Sequence, residues 1–217
     1  MLQLLALAAA VPAVLAQTYY GCYVDPPAGS LSGSTLVDYT AMTIAACELH
    51  CTGFDLWAVE YGGECTCGNA LAQGSFPSFS TDCNVACPGD PLVACGGGNR
   101  LSLYGTSATA PAVTPYPHAP VTAYQDEGCW TETAGVRALD GPMGFSATAM
   151  TVAECGDYCL NSGHLWFGLE YAQECYCGGA LNVNSTSVLP AECNMACSGN
   201  GAQTCGGSNR LSVYQWV

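Results

Sequence analysis

The 217-residue chain carries 17 Asp and Glu against three Arg and no Lys, a net charge of −14. That excess repels phosphate backbones and anionic lipid, and it excludes nucleic acid as a partner. Only 9% of residues are charged while 16 are Cys, so the surface is neutral and polar and the fold is expected to rest on disulfides made in an oxidising compartment. The chain opens with an apolar run, Leu2 to Leu15, too short to cross a bilayer. It ends at Val14-Leu15-Ala16, so residues 1–16 read as a signal peptide and Gln17 as the mature N-terminus. No later apolar run or C-terminal anchor signal follows, and a secreted, released protein is expected.

The cysteines fall into two sets. The first is Cys22, Cys47, Cys51, Cys65, Cys67, Cys83, Cys87 and Cys95; the second is Cys129, Cys155, Cys159, Cys175, Cys177, Cys193, Cys197 and Cys205. Their steps are 25, 4, 14, 2, 16, 4, 8 and 26, 4, 16, 2, 16, 4, 8. The residues between them repeat as well: Val59-Glu60-Tyr61 matches Leu169-Glu170-Tyr171, and Asn99-Arg100-Leu101-Ser102 matches Asn209-Arg210-Leu211-Ser212. A duplicated module follows, over residues 17–105 and 124–217. Residues 106–123 form a Pro- and Thr-rich linker, expected to run extended and to hold the modules tens of Å apart. Its Thr and Ser residues are O-glycosylation candidates, and Asn184-Ser185-Thr186 is an N-glycosylation sequon.

Within each module a helix is expected first, over Thr43–Cys51 and Thr151–Cys159. Thr151 with Glu154 makes a capping-box pattern, whereas Thr43 is followed at the same spacing by Ala46. Cys47 and Cys51 are four apart and share one helix face. A strand follows at Trp57–Tyr61, whose alternation places Trp57, Val59 and Tyr61 toward the core. Cys65 and Cys67 are two apart and share one face of the next strand. Two thiols on a helix face and two on a strand face suit each other, so the helix of each module is expected to be stapled to its sheet. Spacing alone leaves roughly a hundred pairings of eight cysteines open. A last strand is expected over Asn99–Tyr104.

Both repeats resemble the WSC domain of fungal cell-wall integrity sensors. The resemblance rests on Gly21-Cys22-Tyr23, the Cys-x3-Cys helix, Glu64-Cys65-Thr66-Cys67-Gly68, Cys83-x3-Cys87-Pro88-Gly89 and the run from Cys95 to Tyr104. Repeat two supplies Gly128-Cys129-Trp130, Glu174-Cys175-Tyr176-Cys177-Gly178 and Cys205 to Tyr214. The resemblance implies an α+β, disulfide-rich fold of two PAN/apple-like modules, each a short antiparallel sheet packed on one helix. It implies binding of cell-wall polysaccharide, with β-1,3-glucan favoured, by a wall-associated monomer with two binding modules. The alternative is a secreted effector or structural wall protein that binds a protein partner.

Sugar recognition needs aromatic faces for pyranose rings and planar polar groups for hydroxyls. Tyr23, Tyr104, Trp130 and Tyr214 are the candidate platforms, and Asn99 and Asn209 the candidate polar contacts. Arg100 and Arg210 are expected in internal ion pairs, with Glu60 and Glu170 or with backbone carbonyls. The pairs Glu60–Glu64 and Glu170–Glu174 match the two-carboxylate requirement of glycosidases. Their presence in both small modules reads as structural, and a non-catalytic protein is expected. His50, His118 and His164 do not repeat, so neither a metal nor a cofactor is expected.

Overall fold

The computed structural model describes residues 17–116, 120–132 and 137–217. The expected signal peptide and His118 lie outside the described residues. Module one comprises β1 (Thr18–Val24), β2 (Thr35–Val37), α1 (Ile44–His50), β3 (Leu56–Glu60), β4 (Glu64–Gly68), β5 (Ala86–Cys87), β6 (Asp90–Ala94) and β7 (Arg100–Gly105). Module two comprises β8 (Tyr124–Thr131), β9 (Met143–Phe145), α2 (Val152–Asn161), β10 (Trp166–Glu170), β11 (Glu174–Gly178), β12 (Ser187–Val188) and β13 (Arg210–Trp216). The main sheets run β1-β7-β3-β4-β2 and β12-β8-β13-β10-β11-β9, and β5 and β6 form a separate hairpin. Among the described residues the fold is thus mostly β, with antiparallel sheets and one short α-helix per module.

Seven residues are too few for a helix to stand alone in water. Thr43 caps α1, its Oγ1 accepting from Ala46 N–H at 3.0 Å, and Thr151 caps α2 by accepting from Glu154 N–H at 3.1 Å. Covalent links add to the caps and to the packing of Ile44 and Val152 against the sheets. Cys47–Cys65 and Cys51–Cys67 fasten α1 to β4, and Cys155–Cys175 and Cys159–Cys177 fasten α2 to β11. The expected staple is present in both modules. Cys22–Cys83 and Cys129–Cys193 tie the first strand of each module to a short 3-10 turn. Cys87–Cys95 and Cys197–Cys205 close the remaining loops.

Gly96 and Gly206 have no room for a side chain. A Cβ at Gly206 would lie 2.2 Å from Leu169 O and 2.4 Å from Arg210 O, and both neighbours are backbone. The repeated Cys-Gly-Gly segment is therefore a crossing point where the chain passes against β10 and the start of β13.

The alternation in β3 does not separate a wet face from a dry one. Leu56, Trp57, Ala58 and Val59 are all buried, because α1 covers one side of the sheet and the packed loops that carry Leu31 and Leu71 cover the other. Tyr61 lies past the strand end and is exposed, correcting its expected core position.

The linker does not hold the modules apart. Tyr20 Oη donates to Ser107 O at 2.7 Å, Gly74 N–H to Thr114 O at 2.9 Å, and Tyr116 N–H to Asn161 O at 3.1 Å. The modules share one hydrophobic core, in which Phe76 and Phe79 of module one meet Met150, Val152 and Tyr158 of module two. Phe79 fills the space above Gly144, where a Cβ would come within 2.2 Å of its ring. Thr81 Oγ1 donates to Phe145 O at 2.6 Å. Arg100 Nη2 donates to Tyr158 Oη at 3.2 Å, and Tyr158 Oη donates to Met143 O at 3.1 Å. Tyr158→Phe removes this relay while keeping the ring, and it is expected to cost about 1–2 kcal/mol in thermal or urea unfolding.

Candidate functional site

The aromatic residues singled out from the sequence divide by burial. Tyr23 is 2% exposed and packs with Leu31, Leu56 and Leu101. Tyr104 is 8% exposed and lies between Trp57 and Tyr19, with ring centroids 6.4 and 4.9 Å away. Burial pushes its phenol up to about 12. Neither presents a ring face to a ligand, which corrects both as platforms: the sheet is covered on both sides, so these strand positions are core. Trp130 is half-buried and donates its Nε1–H to Glu127 O at 2.8 Å. Tyr214 is half-buried and stacks on Phe167 at 5.2 Å. Asn99 and Asn209 are exposed, as is Asn184 of the sequon.

Tyr19 on β1 is 51% exposed, but the exposed ring that both modules repeat lies at the turn that joins β3 to β4 and β10 to β11. Tyr61 follows β3 with φ +48° and is 43% exposed; Tyr171 follows β10 with φ +50° and is 38% exposed. Left-handed backbone costs an ordinary residue roughly 1–2 kcal/mol and is an outlier for a bulky one. Asn99 and Asn209, also left-handed at +53° and +56°, stand against these tyrosines. Tyr61 Oη donates to Asn99 Oδ1 at 2.9 Å, and Tyr171 Oη to Asn209 Oδ1 at 3.4 Å. With Oδ1 used as acceptor, each amide keeps Nδ2 protons to offer outward. In module one Tyr39 adds a second exposed ring, packed over Gly63 and bonded to Glu64. Tyr39 escaped the sequence reading because its counterpart in the other repeat is Ala147.

Beneath each turn lies an acid pair, both members buried in module two and Glu60 buried beside a half-buried Asp25 in module one. In module two Glu170 and Glu132 meet Arg137, whose Nη1 is 2.8 Å from Glu170 Oε2 and 3.7 Å from Glu132 Oε2. The guanidinium lies 4.2 Å over the Tyr176 ring. In module one Glu60 and Asp25 occupy the equivalent places, Asp25 N–H bonding Asn99 O as Glu132 N–H bonds Asn209 O. No arginine joins this pair. Burial pushes Glu60 up to about 8, assisted by the charge and hydrogen bond of Asp25 and by the charge of Glu64. A proton takes the role that Arg137 plays in module two. Arg100 pairs instead with Asp82 at 3.1 Å, and Arg210 with Glu192 at 2.8 Å. Both are internal ion pairs with carboxylates other than those expected, and the expected backbone contacts are present too: Arg100 Nη1 donates to Asn99 O at 2.9 Å and Arg210 Nη1 to Asn209 O at 2.7 Å.

A cleft of about 450 Å³ runs between the modules. Phe79 and Tyr158 lie at its floor, and Glu154, Asp157 and Asn161 of α2 line one wall. Glu154 thus serves the cleft, and the Thr151 half of the capping box is the part that forms. Neither Glu60–Glu64 nor Glu170–Glu174 reaches the cleft. The sulfurs of Cys47, Cys51 and Cys65 lie within ligand distance of one another, but all are in disulfides and offer no thiolate to a metal. Among the described residues no helix is long and apolar enough to cross a membrane.

Comparison with known proteins places this architecture. The WSC domain model matches residues 19–97 and 127–207. A Chaetomium globosum protein named "Putative fungistatic metabolite" is 64% identical over 222 residues, spanning all of both chains. A WSC domain-containing protein of Arthroderma benhamiae is 35% identical over 197 residues, covering 91% of this chain and 26% of its own length. The Drosophila melanogaster xylosyltransferase oxt is 32% identical over 94 residues, 43% of this chain and 11% of that enzyme. The chain belongs to the WSC domain family and carries two copies of that domain.

Proposed function

We propose that this chain is a non-catalytic carbohydrate-binding protein of the cell exterior, associated with cell-wall polysaccharide, with β-1,3-glucan the favoured ligand. One observation carries the reading: both modules present a tyrosine in left-handed backbone, its hydroxyl fixed by an exposed asparagine, at the same turn. A ring held in that way offers a flat apolar face, and the amide beside it offers donors for hydroxyls. The cost of the backbone conformation points to a use for the side chain. Because the modules pack together, two such turns are carried on one body, and simultaneous engagement of a repeating polymer raises apparent affinity by about 10²–10⁴. The eight disulfides fit secretion, and a PAN/apple-like likeness of each module belongs to the same proposal.

The name of the Chaetomium relative favours a second, compatible reading, in which the protein restrains fungal growth and wall-glycan binding is its route. The test is retention of the oxidised protein on insoluble β-1,3-glucan, chitin, cellulose, xylan and mannan. Wild type is expected to be retained on one of them. Tyr61→Ala with Tyr171→Ala is expected to weaken that retention by roughly tenfold or more per ring. Equal retention of the variant would remove the turns as the site. No retention of wild type on any polymer would turn the assignment to a protein partner.

A further inference from the structure

We propose that the cleft between the modules is a second ligand site, separate from the turn tyrosines, for an oligosaccharide bearing protonated amines. Its volume of about 450 Å³ and its place at a domain interface are those of a ligand pocket. Phe79 and Tyr158 close its base as part of the buried inter-module core, 6% and 5% exposed, and Ser80 and Asn161 supply neutral hydrogen-bonding groups at the edge. The wall carries two carboxylates, Glu154 and Asp157, one helical turn apart.

The duplication is an internal control for those carboxylates. Counted from the first helix cysteine of each module, the positions of Glu154 and Asp157 are Ala46 and Leu49 in module one. Helix α1 forms there with the same threonine cap and the same two staples. The fold therefore requires neither acid. Nor are they neutralised from within, since the three arginines are committed elsewhere, to Asp82, to Glu170 and to Glu192. Burial raises both carboxyls above their ordinary range, and the charge of Asp157 raises Glu154 further. A neutral sugar would use these groups only as acceptors. A sugar bearing protonated amino groups supplies the missing charge and several donors. The net charge of −14 steers such a ligand toward the protein.

Titration calorimetry on the full oxidised chain tests this, with glucosamine oligomers and their N-acetylated counterparts as probes. The free-amine oligomer is expected to bind about tenfold or more tighter than the acetylated one. Glu154→Gln with Asp157→Asn is expected to abolish that preference. Glu48→Gln with Asp140→Asn, which removes the same charge from other surfaces, is expected to keep it. Equal binding of the two oligomers would overturn the proposal. So would equal losses in both double variants, which would reduce the effect to general polyanion attraction. Amide shifts on titrating wild type give an independent readout: changes at Ser80 and Asn161 are expected, and their absence would overturn the assignment to the cleft.

Discussion

Thermal stability of the wild-type chain is expected to fall as pH rises from about 4.5 to about 8, and Glu60→Gln is expected to remove most of that fall. In the unfolded chain Glu60 ionises near its ordinary value of 4.5; in the folded chain it holds its proton up to about 8. The folded state therefore binds more protons across this window. Its advantage is complete below the lower value and is lost as pH climbs through the higher one. Burial accounts for most of the direction, Asp25 and Glu64 add to it with their negative charge, and the Arg100 backbone N–H opposes it only partly. The expected loss is on the order of 3 kcal/mol or more. Glutamine retains an acceptor for the Arg100 N–H and can donate to Asp25, so the variant keeps the geometry without the titration. Melting curves of both proteins at several pH values decide the matter. Parallel curves would refute the shared proton in module one.

Removal of the Cys22–Cys83 bridge is expected to cost more than removal of Cys87–Cys95, although each is one disulfide. The first joins residues 61 apart and the second residues 8 apart. Closing a loop of that larger size restricts the unfolded chain by about 4 kcal/mol, against about 2.5 kcal/mol for the smaller. A structural consequence adds to the difference. Cys83 ends the short turn that begins just after Phe79, and Phe79 is the residue seated over Gly144 of module two. Loosening that turn loosens the contact between the modules. Cys22→Ala with Cys83→Ala should thus show the greater drop in unfolding midpoint, and the reverse order would argue against the loop-closure account.

The sequence made the repeat, the helix caps and the helix-to-strand staples legible, because each rests on spacing along one element. Four residues on a helix and two on a strand fix a shared face whatever surrounds them. Burial on the sheet was not legible in that way. Tyr23 and Tyr104 look like outward positions only if one side of the sheet is wet, and here both sides are covered. The Tyr–Asn turns were half legible: Asn99 and Asn209 were candidates, while Tyr61 was placed inside by continuing the strand one residue too far. The cleft and the inter-module core had a signal in the sequence, namely the places where the two repeats disagree. Phe79 is 6% exposed, whereas its counterpart Leu189 is 71% exposed. Gly144 stands where module one has Leu36, and Tyr158 where it has His50. Module one offers a ring and module two the gap that receives it, so the two copies have complementary, non-interchangeable faces.

Each module also begins and ends on neighbouring strands, with Thr18 opposite Gly105 on β1 and β7 and Tyr124 opposite Trp216 on β8 and β13. Paired antiparallel strands lie about 5 Å apart, so the polypeptide enters and leaves at almost one point. A unit of that shape can be spliced into a loop of an unrelated host without stretching it. That geometry gives a physical reason why the same unit accounts for about a tenth of a xylosyltransferase and, as a pair, about a quarter of a larger fungal protein: it is a cassette whose ends impose almost nothing on what carries it.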